Sequence, residues 1–175
     1  MSEQIEIRES FPADAGRLEE IYPAAFPDED LVPLLRKLLA EDRGVLSLVA
    51  AVDGAVVGHV AFTTCGVDGG NEKLGLLGPL AVDPKLHRQG IGSALVRDGF
   101  HRLRDAGVSH VYVLGDPNYY GRFGFTPEYD LAPPYPLPDA WCDAWQAFCL
   151  KEGATSLKGA LTVPEPWRQP SLWGA

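Results

Sequence analysis

Two glycines at the start of an amphipathic segment are the residues of this chain best suited to binding a charged ligand. Gly90 and Gly92 follow a short polar loop, and that loop follows the apolar run Leu74–Val82, which predicts a strand buried on both faces. The first N–H groups of a helix have no intrahelical partner, and the helix dipole is positive at that end. Because glycine has no Cβ to keep an anion away from the backbone, this turn is predicted to bind phosphate.

Three other interpretations of the turn compete with a general phosphate site. The dinucleotide fingerprint Gly-x-Gly-x-x-Gly is not met, because Leu95 stands at its third glycine position. A Walker A loop is not met either, since no Gly-Lys-Ser/Thr follows the glycines. The remaining alternative is that the glycines only let the helix pack closely on the sheet, and the motif taken alone leaves this alternative open.

A second candidate segment follows the apolar run Val108–Leu114, which predicts the next strand. Residues 115–125 have the sequence GDPNYYGRFGF. A tyrosine phenol has an ordinary pKa of about 10 and is protonated at neutral pH, so that Tyr119 or Tyr120 could serve as a general acid. The alternative is that both tyrosines are packing residues around Phe123 and Phe125.

Taken together, the two segments resemble the GNAT superfamily of N-acetyltransferases. Residues 87–92, HRQGIG, are similar to its acyl-CoA signature, Gln/Arg-x-x-Gly-x-Gly/Ala, and depart from it at His87. Residues 114–125 resemble the Tyr-x-x-x-Gly-Phe segment after the fifth strand, in the form of a bacterial subgroup that has Gly-Asp-Pro and a tyrosine pair there. The resemblance covers residues 5–163.

The resemblance implies that acetyl-CoA is the cosubstrate and that an acetyl group passes to a primary amine by direct attack in a ternary complex. It implies that backbone amides hold the pyrophosphate, so that the departure at His87 should cost little. The pantetheine arm would lie along the preceding strand, where an amide of Leu80 or Val82 could donate to the thioester oxygen. The implied cosubstrate-binding residues are Leu80, Ala81, Val82, His87, Arg88, Gln89, Gly90, Ile91, Gly92 and Ser93.

By the same resemblance, Tyr120 is the general acid that protonates the leaving thiolate. The general base has no comparable candidate, because relatives often carry a glutamate on the fourth strand, where Leu76–Pro79 contains no carboxylate. Glu72, Asp116 and His59 are the nearest candidates, and each has a structural interpretation that we favour. The missing glutamate supports an alternative function, a non-catalytic module that binds or senses acyl-CoA.

The amine acceptor is expected to contact the segment between the first two helices. Residues 26–30, FPDED, place three carboxylates beside an aromatic ring and would suit a cationic amine, although a helix N-cap with acidic first-turn residues is the favoured alternative. The net charge of −9, from 24 acidic and 15 basic residues, also favours a cationic acceptor and argues against nucleic acid as a partner.

The elements that would position these residues follow from hydrophobic periodicity and turn residues. A strand, a helix and a strand around Gly90 predict a right-handed βαβ unit with two parallel strands. The expected elements are, in chain order, a strand over 5–8, a helix from Pro12 that Pro23 and Pro27 break, a helix over 30–43, a hairpin over 45–64 with its turn at Asp53-Gly54, a strand over 74–82, a helix over 90–106, a strand over 108–114, a proline-rich crossing loop over 131–138, and a final hairpin made by 144–150 and 159–163.

The predicted fold class is therefore α/β. In GNAT terms it is a mixed, mostly antiparallel sheet of about seven strands, with a splayed parallel pair at strands 4 and 5, where acetyl-CoA enters, and with helices on both faces. We predict one domain over residues 1–163 and a tail over 164–175, whose Trp167 and Trp173 pack on the domain or on a partner chain. A homodimer is an expectation from the family.

Composition narrows the cellular setting. No apolar run approaches the roughly 20 residues that a membrane span needs, and the start, MSEQIE, lacks the features of a secretory signal. We therefore expect a cytoplasmic location and no membrane partner. Cys65, Cys142 and Cys149 show neither a Cys-x-x-Cys motif nor metal-ligand spacing, so that no metal site is predicted.

Overall fold

The computed structural model describes residues 4–174, so that residues 1–3 of the predicted domain and residue 175 of the predicted tail lie outside the described residues. The strands are β1 (Ile5–Glu9), β2 (Val45–Val52), β3 (Ala55–Val67), β4 (Leu74–Val82), β5 (His110–Leu114), β6 (Thr126–Pro127), β7 (Leu131–Ala132), β8 (Trp145–Cys149) and β9 (Gly159–Thr162). The α-helices are α1 (Ala15–Ala25), α2 (Val32–Leu39), α3 (Ile91–Asp105) and α4 (Pro117–Tyr120). Short 3-10 helices cover Pro12–Asp14, Pro84–Leu86, Gly121–Phe123, Asp139–Ala144, Glu165–Trp167 and Pro170–Trp173.

The strands hydrogen-bond in the order β1-β2-β3-β4-β5-β8-β6, and β9 pairs with both β3 and β7. β4 and β5 are parallel, whereas β1 with β2 and β8 with β5 are antiparallel. The predicted mixed sheet, with a parallel pair at strands 4 and 5, is therefore confirmed. Within residues 4–174 the sheet has nine strands, compared with the predicted number of about seven. The two-residue strands β6 and β7 were not predicted, because so short a pairing has no periodicity of its own.

Two local predictions are wrong. The expected final hairpin does not form, since β8 pairs with β5 and β6 while β9 pairs with β3 and β7. The two strand segments were predicted correctly, but the strands with which they pair are far away in the sequence. The first helix, which Pro23 and Pro27 were expected to break, also continues through Pro23: α1 ends at Ala25, between the two prolines, and Phe26 N donates to Tyr22 O at 2.8 Å. Within the last turn of a helix, proline removes only one hydrogen bond.

The chain forms two compact units, residues 4–62 with 78–101 and residues 63–77 with 102–174. In the first unit, His59 of β3 faces α1, where its Nδ1 lies 2.6 Å from Tyr22 Oη. A Cβ placed on the neighbouring Gly58 would lie 3.0 Å from Ile91 Cγ2 of α3. Because successive strand residues point to opposite faces of a sheet, α1 and α3 lie on opposite faces, and the predicted two-sided arrangement of helices is confirmed.

The second unit contains a buried tryptophan cluster that includes the C-terminal residues. Trp173 is 1% exposed, its Nε1 donates to Trp167 O at 3.0 Å, and its ring lies 5.8 Å from that of Trp145. Trp167 Nε1 in turn donates to Thr63 Oγ1 at 3.0 Å. These contacts are what hold the described part of the tail, 164–174, against its own unit. A domain boundary at residue 163 stays a prediction, as does a homodimer.

Cysteines and possible metal ligands have no special arrangement in this part of the chain. Cys65, Cys142 and Cys149 are free thiols, and burial raises the pKa of Cys65 to about 12. Between residues 4 and 174 no group of three His, Cys, Asp or Glu side chains could hold a metal ion. None of the helices in that range combines the length and the apolar character that crossing a membrane needs.

Candidate functional site

The loop between β4 and α3 is shaped by hydrogen bonds at its beginning and by two left-handed residues at its end. Asp83 Oδ1 accepts from Lys85 N at 3.0 Å and caps the 3-10 helix Pro84–Leu86. Arg88 and Gly90 have φ angles of 67° and 79°. This conformation is costly for Arg88 and free for glycine. The loop therefore turns sharply just before α3 begins.

The helix end of this turn leaves backbone amides without helical partners. Ala94 N donates to Gly90 O at 2.9 Å and begins the hydrogen-bond ladder of α3. The amides of Ile91, Gly92 and Ser93 precede that ladder, at the positive end of the helix dipole. Gly90 is exposed, and a Cβ built on it would have no heavy atom within 4 Å. Close packing therefore does not explain the glycine at position 90, whereas its positive φ does.

His87, the residue that departs from the GNAT signature, uses its side chain inside the loop. Its Nε2 lies 3.1 Å from Val82 O, the last carbonyl of β4, and the imidazole thereby joins the loop to the strand. Among the sequence-predicted residues, this contact brings His87 and Val82 together. The arrangement agrees with the implication that backbone amides, and not this side chain, bind the ligand.

A salt bridge that was not anticipated ties the same loop to α1. Arg17 Nη2 lies 2.8 Å from Asp83 Oδ2, and Arg17 Nε donates to Val56 O at 3.0 Å. The hydrogen bond from the Lys85 amide, followed by the Arg17 guanidinium, holds the pKa of Asp83 below its ordinary value. The Asp-Pro pair at 83–84 could have indicated a cap, but nothing local could have indicated Arg17, which is 66 positions away.

The stretch of β4 that was predicted to hold the pantetheine arm lies just ahead of this loop. Leu80 and Ala81 are buried, and Val82 is half-buried. The ladder between β4 and β5 covers Leu74–Leu76 and His110–Tyr112, so that its register ends before Leu80. The resemblance to GNAT enzymes implies that an amide of Leu80 or Val82, in this part of β4, donates to the thioester oxygen.

Tyr120 lies in the second unit, at the end of the turn that follows β5. Asp116 Oδ1 accepts from Asn118 N at 2.9 Å and caps α4, while Asp116 O accepts from Tyr120 N at 2.9 Å. The structure therefore supports the capping interpretation of Asp116 that the sequence favoured. The consequence is that a single capped turn sets the position of the Tyr120 backbone.

The Tyr120 ring belongs to an aromatic cluster. Its centroid lies 5.0 Å from that of Tyr119, 6.2 Å from that of Phe123 and 5.8 Å from that of Phe125. Burial, with a smaller effect of Tyr119, raises the pKa of the Tyr120 phenol above its ordinary value. The packing interpretation of this tyrosine is thus correct, and it is compatible with acid catalysis because the phenol keeps its proton at neutral pH.

Of the two other candidate bases, His59 has surroundings that do not suit proton abstraction. His59 is fully buried, its Nδ1 and Nε2 lie 2.6 Å and 2.8 Å from Tyr22 Oη and Ser47 Oγ, and burial lowers its pKa to about 3. It is therefore a neutral core histidine with both ring nitrogens engaged. Glu72 is exposed and precedes β4.

The acidic segment between the first two helices does not cap α2 as the favoured alternative required. The N-cap of α2 is Leu31, which makes no side-chain capping bond. Asp28, Glu29 and Asp30 are exposed, and the Phe26 ring stacks on Tyr22 at 6.4 Å. The three carboxylates therefore neither cap α2 nor lie in its first turn.

Comparison with known proteins connects these features to a family. A model described as "Acetyltransferase (GNAT) family" matches residues 15–125. This chain belongs to the GNAT acetyltransferase family. Among its relatives, the uncharacterized N-acetyltransferase YjhQ of Escherichia coli K12 is 33% identical over 161 residues, which are 88% of this chain and 89% of that protein. The uncharacterized N-acetyltransferase YhbS of the same strain is 35% identical over 143 residues, 81% of this chain and 83% of that protein.

Two solved GNAT structures are similar over nearly the whole chain. The crystal structure of Escherichia coli YhbS in complex with CoA superposes with a TM-score of 0.86 at 31% identity, covering 97% of this chain and 94% of that one. A GNAT acetyltransferase from Brucella melitensis in complex with acetyl-CoA superposes with a TM-score of 0.76 at 29% identity, covering 94% and 99%. The predicted GNAT fold is therefore confirmed.

Proposed function

We propose that this GNAT protein transfers an acetyl group from acetyl-CoA to a primary amine, by direct attack within a ternary complex. The observation that carries the proposal is the exposed turn before α3, where Arg88 and Gly90 are left-handed and the helical ladder begins only at Ala94. Such a turn presents unpaired amides to an anion, as the diphosphate of CoA requires. The YhbS and Brucella melitensis proteins, crystallised with CoA and acetyl-CoA, support the same cosubstrate.

In this proposal the cosubstrate extends from the turn before α3 back along the preceding strand, β4. The amides from Arg88 to Ser93 take the diphosphate, since the predicted donor His87 N already donates to Pro84 O at 3.5 Å. The pantetheine arm pairs with Leu80–Val82, a stretch that follows the end of the β4–β5 register. An amide of Leu80 or Val82 then donates to the thioester oxygen, which gains negative charge as the amine attacks. Pro79 has no N–H and cannot take this role.

The chemical step requires one proton to reach the sulfur and one to leave the nitrogen. The neutral amine attacks the carbonyl carbon, the carbon–sulfur bond breaks, and Tyr120 gives its phenolic proton to the thiolate. The attacking nitrogen loses a proton to water, and water then returns a proton to the Tyr120 phenolate, which restores the phenol. Because Leu76–Pro79 contains no carboxylate and His59 is neutral and buried, water is the proton acceptor that we propose.

We propose a cationic amine as the acceptor class. Asp28, Glu29 and Asp30 are exposed and do not cap α2, so that a cation in solution can reach their carboxylates. The net charge of −9 would also attract such a substrate. Monoamines, polyamines and peptides of matched length but different charge test this preference through their KM values.

The decisive experiment measures thiol release from acetyl-CoA over a panel of amines, with wild type, Tyr120→Phe and Tyr119→Phe. General acids typically contribute at least about 100-fold, so Tyr120→Phe should lower kcat by that order with little change in KM for acetyl-CoA. Tyr119→Phe is the matched control and should keep wild-type kcat. An unchanged kcat in Tyr120→Phe would remove Tyr120 from the mechanism.

The alternative function, a non-catalytic module that senses acyl-CoA, is favoured by one observation, the absence of a carboxylate from Leu76–Pro79. The same panel distinguishes it. Tight binding of acetyl-CoA in calorimetry without thiol release for any amine would favour the sensor. Turnover with any amine above the rate of hydrolysis would exclude it.

A further inference from the structure

Gln146 is a polar residue of β8 that is 1% exposed, and the proposed reaction gives it no role. Its backbone is paired on both sides, with Val113 of β5 and with Pro127 of β6. A buried amide side chain is costly unless its hydrogen bonds are made. The groups that it binds therefore indicate why a glutamine is placed here.

The Gln146 side chain fixes the turn that leaves β5. Its Nε2 donates to Gly115 O at 3.0 Å and lies 3.4 Å from Ala144 O. Gly115 N donates to Ala144 O at 2.9 Å. Both backbone polar groups of Gly115 are thus held by residues 144–146, one of them through this side chain.

Gly115 in turn contacts the Tyr120 ring. A Cβ built on Gly115 would lie 2.8 Å from Tyr120 Cδ2 and nearer still to Cε2, so that the ring rests on the bare α-carbon. The carbonyl that Gln146 binds belongs to the peptide plane that Gly115 shares with Asp116. Asp116 O accepts from Tyr120 N at 2.9 Å, and its side chain caps the turn.

We infer that Gln146 is a positioning residue for the Tyr120 phenol. Through Gly115 O it fixes the orientation of the peptide plane that starts the capped turn, and it keeps the α-carbon of Gly115 under the Tyr120 ring. The inference rests on the proposed role of Tyr120 as the general acid. It adds a residue of β8 to the machinery of that reaction, at a distance of 31 positions along the chain from the carbonyl that it binds.

The first test replaces Gln146 by methionine, which keeps the length of the side chain and removes the donor. A displacement of about 1 Å at a reacting group can cost 100-fold in rate, so we expect Gln146→Met to lower kcat by roughly 10- to 100-fold while KM for acetyl-CoA changes less than about twofold. Thr63→Val is the matched control, since it removes another buried hydrogen bond of the same unit, from Trp167 Nε1 at 3.0 Å. It should lower the melting temperature and leave kcat unchanged.

The second test combines Gln146→Met with Tyr120→Phe. If Gln146 acts through the phenol, its substitution lowers kcat in the wild-type background and adds no further loss to Tyr120→Phe. Independent losses that multiply in the double variant would overturn the inference, as would a Gln146→Met enzyme with wild-type kcat. An unchanged kcat in Tyr120→Phe alone would instead refute the proposed general acid, so that the two failures are distinguishable.

A third variant covers the case in which Gln146→Met does not fold. Gln146→Glu keeps the shape of the side chain, and its protonated carboxyl can donate to Gly115 O, whereas its carboxylate cannot. The ratio of its kcat to that of wild type should therefore rise as the pH falls. A ratio that is the same at every pH would count against a donated hydrogen bond to Gly115 as the origin of the effect.

Discussion

Gly90 and Gly54 provide a matched pair for testing whether the turn before α3 binds phosphate. Gly90 has a φ of 79° and Gly54 a φ of 81°, and a Cβ on either glycine would have no heavy atom within 4 Å. Alanine at either position therefore brings the strain of a left-handed backbone, about 1–2 kcal/mol, without a steric clash. The two sites differ in whether the backbone can relax and so relieve that strain.

Gly54 occupies the two-residue turn between the paired strands β2 and β3, together with Asp53, whose φ is 51°. This turn cannot relax without loss of the hairpin, so that Gly54→Ala should lower the free energy of unfolding by about 1–2 kcal/mol. The turn at Gly90 is exposed and can relax in the free protein. In Gly90→Ala, the left-handed geometry must then be restored when CoA binds, so that the cost of the strain raises the Kd for CoA.

A cost of about 1–2 kcal/mol in binding corresponds to a roughly 5- to 30-fold increase in Kd. Titration calorimetry with CoA should show this increase for Gly90→Ala and a wild-type Kd for Gly54→Ala. Urea unfolding should show the larger loss of stability for Gly54→Ala. The substrate analogue S-acetyl-N-acetylcysteamine, a thioester without the diphosphate, should have the same kcat/KM with Gly90→Ala as with wild type.

Equal Kd values for CoA in the two variants, together with a smaller loss of stability for Gly90→Ala, would refute the assignment of the diphosphate to this turn. Equal losses of stability with unequal Kd values would show instead that the turn at Gly90 is rigid in the free protein. In that case the increase in Kd must come from contact between the new Cβ and the ligand. The comparison therefore tests the binding assignment and the relaxation separately.

Three further predictions concern pH and stability. Turnover should rise from pH 7 to pH 9, because the acceptor amine loses its proton while burial keeps the pKa of Tyr120 above its ordinary value. A bell-shaped pH profile with an acidic optimum would contradict proton transfer from the amine to water. His59, whose pKa is lowered to about 3, binds fewer protons in the folded than in the unfolded state between about pH 3 and 6.5. Stability should therefore fall as the pH falls through this window, with a His59 contribution of up to about 1.4 kcal/mol per pH unit, and urea unfolding at several pH values should show a steeper slope in wild type than in His59→Gln. Trp173→Ala removes a ring that is 1% exposed and should lower the free energy of unfolding by about 3–5 kcal/mol. A loss below about 1 kcal/mol in urea unfolding would mean that the tail lies on the second unit without stabilising it.

Several features of this protein were determined by short stretches of its sequence. The Asp53-Gly54 turn follows from two neighbouring residues that accept positive φ, and the start of α3 follows from Gly90 and the apolar periodicity after it. Backbone geometry of this kind depends on a few adjacent residues. The resemblance of 87–92 and 114–125 to GNAT enzymes likewise rests on local segments, and the family match over residues 15–125 agrees with it.

Only the tertiary structure decided which distant residues meet. The sequence indicated the strand segments at 144–150 and 159–163, but β8 and β9 pair with separate partners instead of with each other. Arg17 meets Asp83 over 66 positions, and Gln146 meets Gly115 over 31. Hydrogen-bond donors in a side chain carry no information about which acceptor the folded chain will bring within 3 Å of them. For that reason the left-handed turn before α3, which we propose binds phosphate, could be predicted from local sequence, whereas the contacts that position it and Tyr120 could not.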